Sequence, residues 1–271
     1  MKPPLRLATA AAAALALSAA PAVAAPLTFT VKEGSANNVV AQGVTTFFTG
    51  MYSLDGSPRG HVMGVEPTSG GRSLTFAFGS GARIVARQAP GTTGSTSRLT
   101  IVGGTGRFLG ATGVVDTRSA KGVYTHTVTY RLPPRGTPRT SMAYVVRLGK
   151  AQIVPRGGAQ GLGNGRVIAG TVADAAGTKV GDYSVDSTLA FVYGAGTYEW
   201  YSGDFGYVFA DGTLQASGPY QRATAAAPGA LKPSGRVVTG GTGAYAGMRG
   251  QVVVTPNPDG TSVHSFTLIR R

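Results

Sequence analysis

Beyond the N-terminal segment, apolar residues fall in short runs rich in Val, Thr, Tyr and Phe, bounded by Gly, Asp, Asn and Pro, and helical spacing is scarce. The pattern predicts an all-β protein. Strands are expected near 27–32, 38–48, 59–65, 72–79, 82–88, 96–102, 112–119 and 122–132, and again near 142–153, 164–174, 179–187, 196–209, 211–217, 233–239, 249–256 and 259–269. Eight short strands per half, joined by tight turns, suit a closed antiparallel barrel, which leaves no exposed sheet edge. The dipeptides Asp55-Gly56, Asp211-Gly212 and Asp259-Gly260 accept positive φ and reverse the chain between strands. The 42 glycines serve such hairpins and barrel bends.

The two halves are copies of one another. Gly103-Gly104-Thr105-Gly106, followed by Arg107-Phe108, reappears as Gly240-Gly241-Thr242-Gly243, followed by Ala244-Tyr245. His126 and His264 correspond as well, each four residues beyond a turn glycine, Gly122 or Gly260. A repeat this long is a domain with its own core rather than a solenoid unit. The expected organisation is a leader over 1–24, a first barrel over 26–133, a Pro-rich linker over 134–140 and a second barrel over 141–271. The second copy carries two insertions, an aromatic one near Leu189 to Trp200 that extends a hairpin, and an Ala-Pro-rich loop near Ala223 to Lys232. Duplication substitutes for a homodimer, so the two barrels are expected to pack on each other.

The glycine loop superficially resembles a dinucleotide fingerprint, but Gly113 closes the segment after a few residues and a β-like run follows where a helix would be needed. No Tyr-x-x-x-Lys pair is present. The loops are therefore expected to be barrel corners, built by Gly103, Gly104 and Gly106 with Phe108, and by Gly240, Gly241 and Gly243 with Tyr245. The stretch Val102 to Gly113 and its second version from Thr239 to Gly250 resemble the signature loop of dirigent proteins and the related allene oxide cyclase barrel. Gly56 to Gly60 with Phe76-Ala77-Phe78, and Gly177 to Gly181 with Val208-Phe209, resemble that family's earlier strands. The resemblance implies eight-stranded barrels whose interior receives an apolar ligand or reactive intermediate without a cofactor, acting by confinement and orientation.

At the N-terminus, Lys2 and Arg6 precede an apolar run from Leu7 to Ala20 and small residues at Ala22-Val23-Ala24, the pattern of a secretory signal peptide cleaved after Ala24. Export to a periplasmic or extracellular location is expected, with no membrane-spanning segment in the mature chain. The chain has no cysteine, which excludes disulfides, thiolate nucleophiles and cysteine-ligated metals, and leaves stability to the two cores. The net charge of +14 is dispersed, with single arginines at 59, 72, 83, 87, 98, 107 and 118 and no basic run. That distribution fits weak attraction to an anionic envelope surface, not nucleic-acid recognition.

Candidate chemistry is sparse. Asp116, flanked by Val114-Val115 and Thr117, is the acid of the first copy best placed in a strand, though its side of the strand stays open. The second copy mixes acids with aromatics: Asp182, Tyr183, Glu199, Tyr201 and Tyr207 are ligand-pocket candidates, with well-packed core as the alternative. With the matched histidines on separate barrels and His61 the remaining one, no metal site is expected. No Gly-x-Ser-x-Gly elbow supports a hydrolase. Three readings remain: a lumen that binds a small apolar molecule, a cofactor-free cyclase or isomerase, and an envelope interaction module.

Overall fold

A computed structural model describes residues 25–34, 37–41, 43–67, 71–79, 81–88, 96–193, 198–223 and 232–270. The expected leader over 1–24 and most of the Ala-Pro-rich insertion lie outside the described residues. In the first half the strands are β1 (Leu27–Glu33), β2 (Asn37–Ala41), β3 (Val44–Ser53), β4 (Pro58–Pro67), β5 (Ser73–Phe78), β6 (Arg83–Arg87), β7 (Thr96–Thr105), β8 (Thr112–Ala120) and β9 (Val123–Arg131). The second half repeats them as β10 (Thr140–Leu148), β11 (Gln152–Val154), β12 (Gly165–Ala173), β13 (Lys179–Tyr193), β14 (Tyr198–Phe209), β15 (Gly212–Ala223), β16 (Ser234–Gly243), β17 (Met248–Pro256) and β18 (Thr261–Arg270). Every pairing is antiparallel between neighbours, and the β1–β3 and β10–β12 pairings close each sheet into an eight-stranded barrel. β2 and β11 are short additions outside the closed ring, paired only to β3 and β12.

Two expected strands divide. The run 38–48 is broken at Gly43, which takes φ +73 and turns β2 into β3, and the run 142–153 ends at Leu148 before β11 begins. Elsewhere the alternation of the pleat explains burial: Val115 and Thr117 on β8 are buried, whereas Asp116 between them is half-buried on the opposite face. The aromatic insertion does lengthen a hairpin, since β13 and β14 stay paired out to Tyr193 and Tyr198.

Each glycine loop forms the end of a strand and a tight corner. In the first, Thr105 leads into a single helical turn over Gly106–Phe108, and Phe108 folds inward against Phe29, Phe78 and Tyr130 to plug one end of the barrel. Gly104 sits so close to Phe108 that an added Cβ would lie 2.5 Å from its carbonyl oxygen. Gly241 repeats that approach to Tyr245, and Tyr245 packs on Phe209. The corner needs glycine because backbone and aromatic plug occupy the space a side chain would take.

The barrels pack β6 and β7 against β16 and β17, and β3 and β4 against β13 and β14. β7 lies against β16, with Gly103 fitted under Val237, and the ring of Phe48 stacks on Phe191 at 4.5 Å. Arg83 reaches across to the carbonyls of Pro219 and Gly235, and Arg87 pairs with Asp204 and Ser217. Between β9 and β10 the Pro-rich segment turns through a Thr137 to Pro134 hydrogen bond of 3.2 Å, and Pro133 rests near Gly110 and Ile269.

Candidate functional site

The shared register lets the two interiors be matched position by position. His126 pairs with Val31 and Thr117, and His264 pairs with Tyr144 and Val254, so the histidines are equivalent. By the same matching, Phe47 corresponds to Ile168, Val62 to Tyr183, Gly64 to Val185, Phe76 to Tyr207 and Leu99 to Arg236. Glu33 corresponds to Val146. These exchanges convert one packed interior into one that is polar and open.

In the first barrel the interior is filled. Met51, Val62, Leu74, Phe76, Leu99 and Val115 are fully buried. The ring of Phe47 lies directly over Gly64, where any Cβ would collide with it, and the Arg72 guanidinium stacks above that ring at 5.0 Å. His126 is fully buried, with Nε2 2.7 Å from Glu33 and Nδ1 2.9 Å from Thr117. The pair is sealed beneath side chains.

In the second barrel Ile168 and Val185 replace the Phe47 ring and its glycine seat, and a cavity of about 860 Å³ opens there. Phe205, Tyr220, Tyr183 and Val254 form apolar wall, while His264 lies at its floor. Tyr207 Oη, beneath the floor, is 2.8 Å from His264 Nδ1, and Ser262 Oγ, on the lining, is 2.8 Å from Nε2. Below them Tyr207 packs edge-on to Phe266, closing the lower end. Burial holds the His264 imidazole well below its ordinary pKa, with Arg236 adding to the effect, and burial raises the Tyr207 hydroxyl well above its own. Both are therefore neutral near pH 7 and act as hydrogen-bond partners, poorly matched to proton transfer there.

Five cationic side chains line this cavity: Arg83, Arg166, Arg222, Lys232 and Arg236. No Asp or Glu is among the described lining residues. Arg236 is 6% exposed, and its Nε and Nη1 have no hydrogen-bond partner among the described residues; Arg166 Nε has none either. The Arg236 guanidinium lies over the Phe205 ring at 4.1 Å and near the Tyr220 ring at 5.5 Å, so aromatic faces hold its plane. Arg166 Nη1 donates to Tyr220 Oη at 3.2 Å, and Ser187 Oγ lies 2.9 Å from the same oxygen. Arg83 enters from the first barrel, its pKa drawn down to about 10 by burial and by Arg236.

The sequence candidates separate accordingly. Tyr183 lines the cavity, burial pushing its hydroxyl up to about 12, and Tyr207 lies beneath the floor. Tyr201 stacks on Tyr220 at 5.1 Å behind the wall, and its hydroxyl donates to Glu199, which also pairs with Arg222 at 2.8 Å. Asp182 and Asp116 stay outside both interiors, because the pleat alternates: Asp182 pairs with Lys179 and Asp116 with Arg98, both at 2.7 Å. The Arg98 guanidinium holds the Asp116 carboxyl below its usual range. None of the corner residues Gly103, Gly104, Gly106, Phe108, Gly240, Gly241, Gly243 and Tyr245 lines the cavity. Arg166, Phe205, Tyr220, Arg236 and Ser262 escaped sequence reasoning. Arg236 was detectable: in the aligned repeats it stands where the first copy has Leu99.

Fold and site together define a tandem pair of closed antiparallel barrels, one packed and one holding a cationic, aromatic-walled cavity. No family model matches the chain, and no curated protein matches it. Among solved structures it is similar to pyocyanin demethylase, at 20% identity and a TM-score of 0.37, over 48% of this chain and 99% of that one. A likeness of that size says nothing about the chemistry of this cavity. Among the described residues, no helix is long and apolar enough to cross a membrane, and no cluster of His, Asp and Glu could hold a metal ion.

Proposed function

We propose that the protein binds a small molecule in its second barrel, without a cofactor, while the first barrel serves as scaffold. The observation that carries this reading is the exchange of Phe47 and Gly64 for Ile168 and Val185, which opens a cavity of about 860 Å³ where the sister barrel is filled. That volume lies within the range of about 300 to 1,000 Å³ typical of ligand pockets, and its wall is largely aromatic. The resemblance of the glycine loops to dirigent and allene oxide cyclase barrels supports the same reading. The signal-peptide pattern supports binding outside the cytoplasm, which amino-terminal sequencing of the exported protein tests.

Native mass spectrometry of protein purified from its own host tests the binding. A small molecule retained by the wild type and lost from the double variant Ile168→Phe with Val185→Gly, which restores both the ring and its glycine seat as in the filled barrel, is the expected result. Retention by both proteins would refute the lumen as the site. A second reading, a cofactor-free isomerase, rests on Tyr183 and Arg236 facing one cavity, where hydroxyl and guanidinium could steady a developing oxyanion. It requires Tyr183→Phe to abolish conversion of the recovered molecule while leaving its binding intact.

A further inference from the structure

We infer that the ligand of the second barrel is an organic anion: an aromatic or apolar body carrying a carboxylate, sulfonate or similar head that seats on Arg236 and Arg166. This rests on the lumen-binding reading above and specifies the chemistry of the same site. Three independent features converge on it. A guanidinium buried to 6% exposure with two N–H-bearing nitrogens unpartnered among the described residues is costly unless an acceptor meets it. The lining brings five cations together with no carboxylate among the described lining residues, so an entering anion meets no competing acid. Phe205 and Tyr220 lie against the Arg236 guanidinium and hold its plane at the cavity wall, a fixed planar donor fork of the kind that suits a two-oxygen acceptor.

The sister barrel strengthens the argument. Its equivalent position is Leu99, fully buried in a filled interior, so the fold itself has no need of a cation there. The acid at Glu199 is already committed to Arg222 and Tyr201. The cost of burying the Arg83 charge and its repulsion with Arg236 are both offset when a negative head arrives. The apolar body then lies along Phe205, Tyr220 and Val185, with Ile168 at its side.

A matched pair of fluorescent probes tests this with the full mature chain: 8-anilinonaphthalene-1-sulfonate and N-phenyl-1-naphthylamine share the same body, and the first carries an anionic head. The expected result is at least tenfold tighter binding of the sulfonate to the wild type. Arg236→Leu should erase that preference, and Arg236→Lys should restore part of it, because the charge returns without the planar fork. Arg118→Ala, an exposed cation away from the cavity, should change nothing. Circular dichroism shows that each variant is folded. Equal binding of both probes, abolished by the double variant Ile168→Phe with Val185→Gly, would overturn the anionic head and leave the lumen reading standing. Probe binding that the same double variant does not weaken, or no binding of either probe, would overturn both.

Discussion

Replacing Arg236 by leucine should make the ligand-free protein more stable. The wild-type guanidinium is 6% exposed, and its Nε and Nη1 are unsatisfied among the described residues. Each buried unsatisfied donor costs about 1 to 3 kcal/mol. Replacing buried charges by apolar groups of similar size is often stabilising by about 1 to 4 kcal/mol. Against this stands the loss of the cation–π contact with Phe205, worth about 0.5 to 2 kcal/mol. The balance favours leucine by about 1 to 3 kcal/mol, helped by relief of the repulsion with Arg83. With about 2 to 4 °C per kcal/mol for a protein of this size, thermal unfolding should shift upward by roughly 2 to 12 °C. Scanning calorimetry of the apo proteins, in buffer without sulfate or phosphate, measures it. A melting temperature that falls would refute the reasoning, since it would show that the guanidinium contributes net stability through contacts within the chain. The stabilised variant should also bind the sulfonate probe poorly, the signature of a residue kept for function at the expense of the fold.

His264 is buried neutral with its folded pKa well below the ordinary 6.5, so the unfolded chain takes up the proton first as pH falls. Its contribution should be fully present above about pH 6.5 and then lost at about 1.4 kcal/mol per pH unit until the folded pKa is reached; urea titrations across pH 4.5 to 8 should show that slope, and His264→Gln should reduce it. Gly241→Ala would set a Cβ 2.5 Å from the Thr213 carbonyl oxygen and should cost at least about 1 to 3 kcal/mol by forcing the corner apart. Denaturant midpoints check this, and a change below 0.5 kcal/mol would count against the corner geometry. The two barrels expressed apart should each melt below the intact chain, because separation exposes the stacked Phe48 and Phe191 and strips Arg83 of the carbonyls of Pro219 and Gly235. Equal melting temperatures would show that the interface contributes nothing.

Much of the architecture was legible in the sequence. Short Val/Thr/Tyr/Phe runs between turn residues mark strands locally, and repetition of Gly103 to Phe108 as Gly240 to Tyr245 reveals two equivalent barrels, because a corner with no room for a side chain admits only glycine. Tyr183 stood in the sequence only as one of several pocket candidates, with packed core as the alternative, and it is the one that lines the cavity. The side of Asp116 was not, since a one-residue change of register exchanges inside for outside, and only the pairing with Thr127 on one side and Arg98 on the other fixes it.

Whether an interior is filled is a property of several strands at once. Phe47 closes the first barrel because Gly64, on the neighbouring strand, leaves room for its ring; Ile168 and Val185 fail to fill the equivalent space, although each residue alone is an ordinary strand former. The matched histidines show the same dependence: Glu33 and Thr117 hold His126, whereas Tyr207 and Ser262 hold His264 after those partners became Val146 and Val254. The sequence by itself determined strands, turns, duplication and the equivalence of positions, because these depend on neighbours along the chain. Only the tertiary structure decided that Arg236 and Arg166 meet in a cavity with no acid among its described lining residues, because lumen charge and volume are sums over side chains brought together by closure of the sheet.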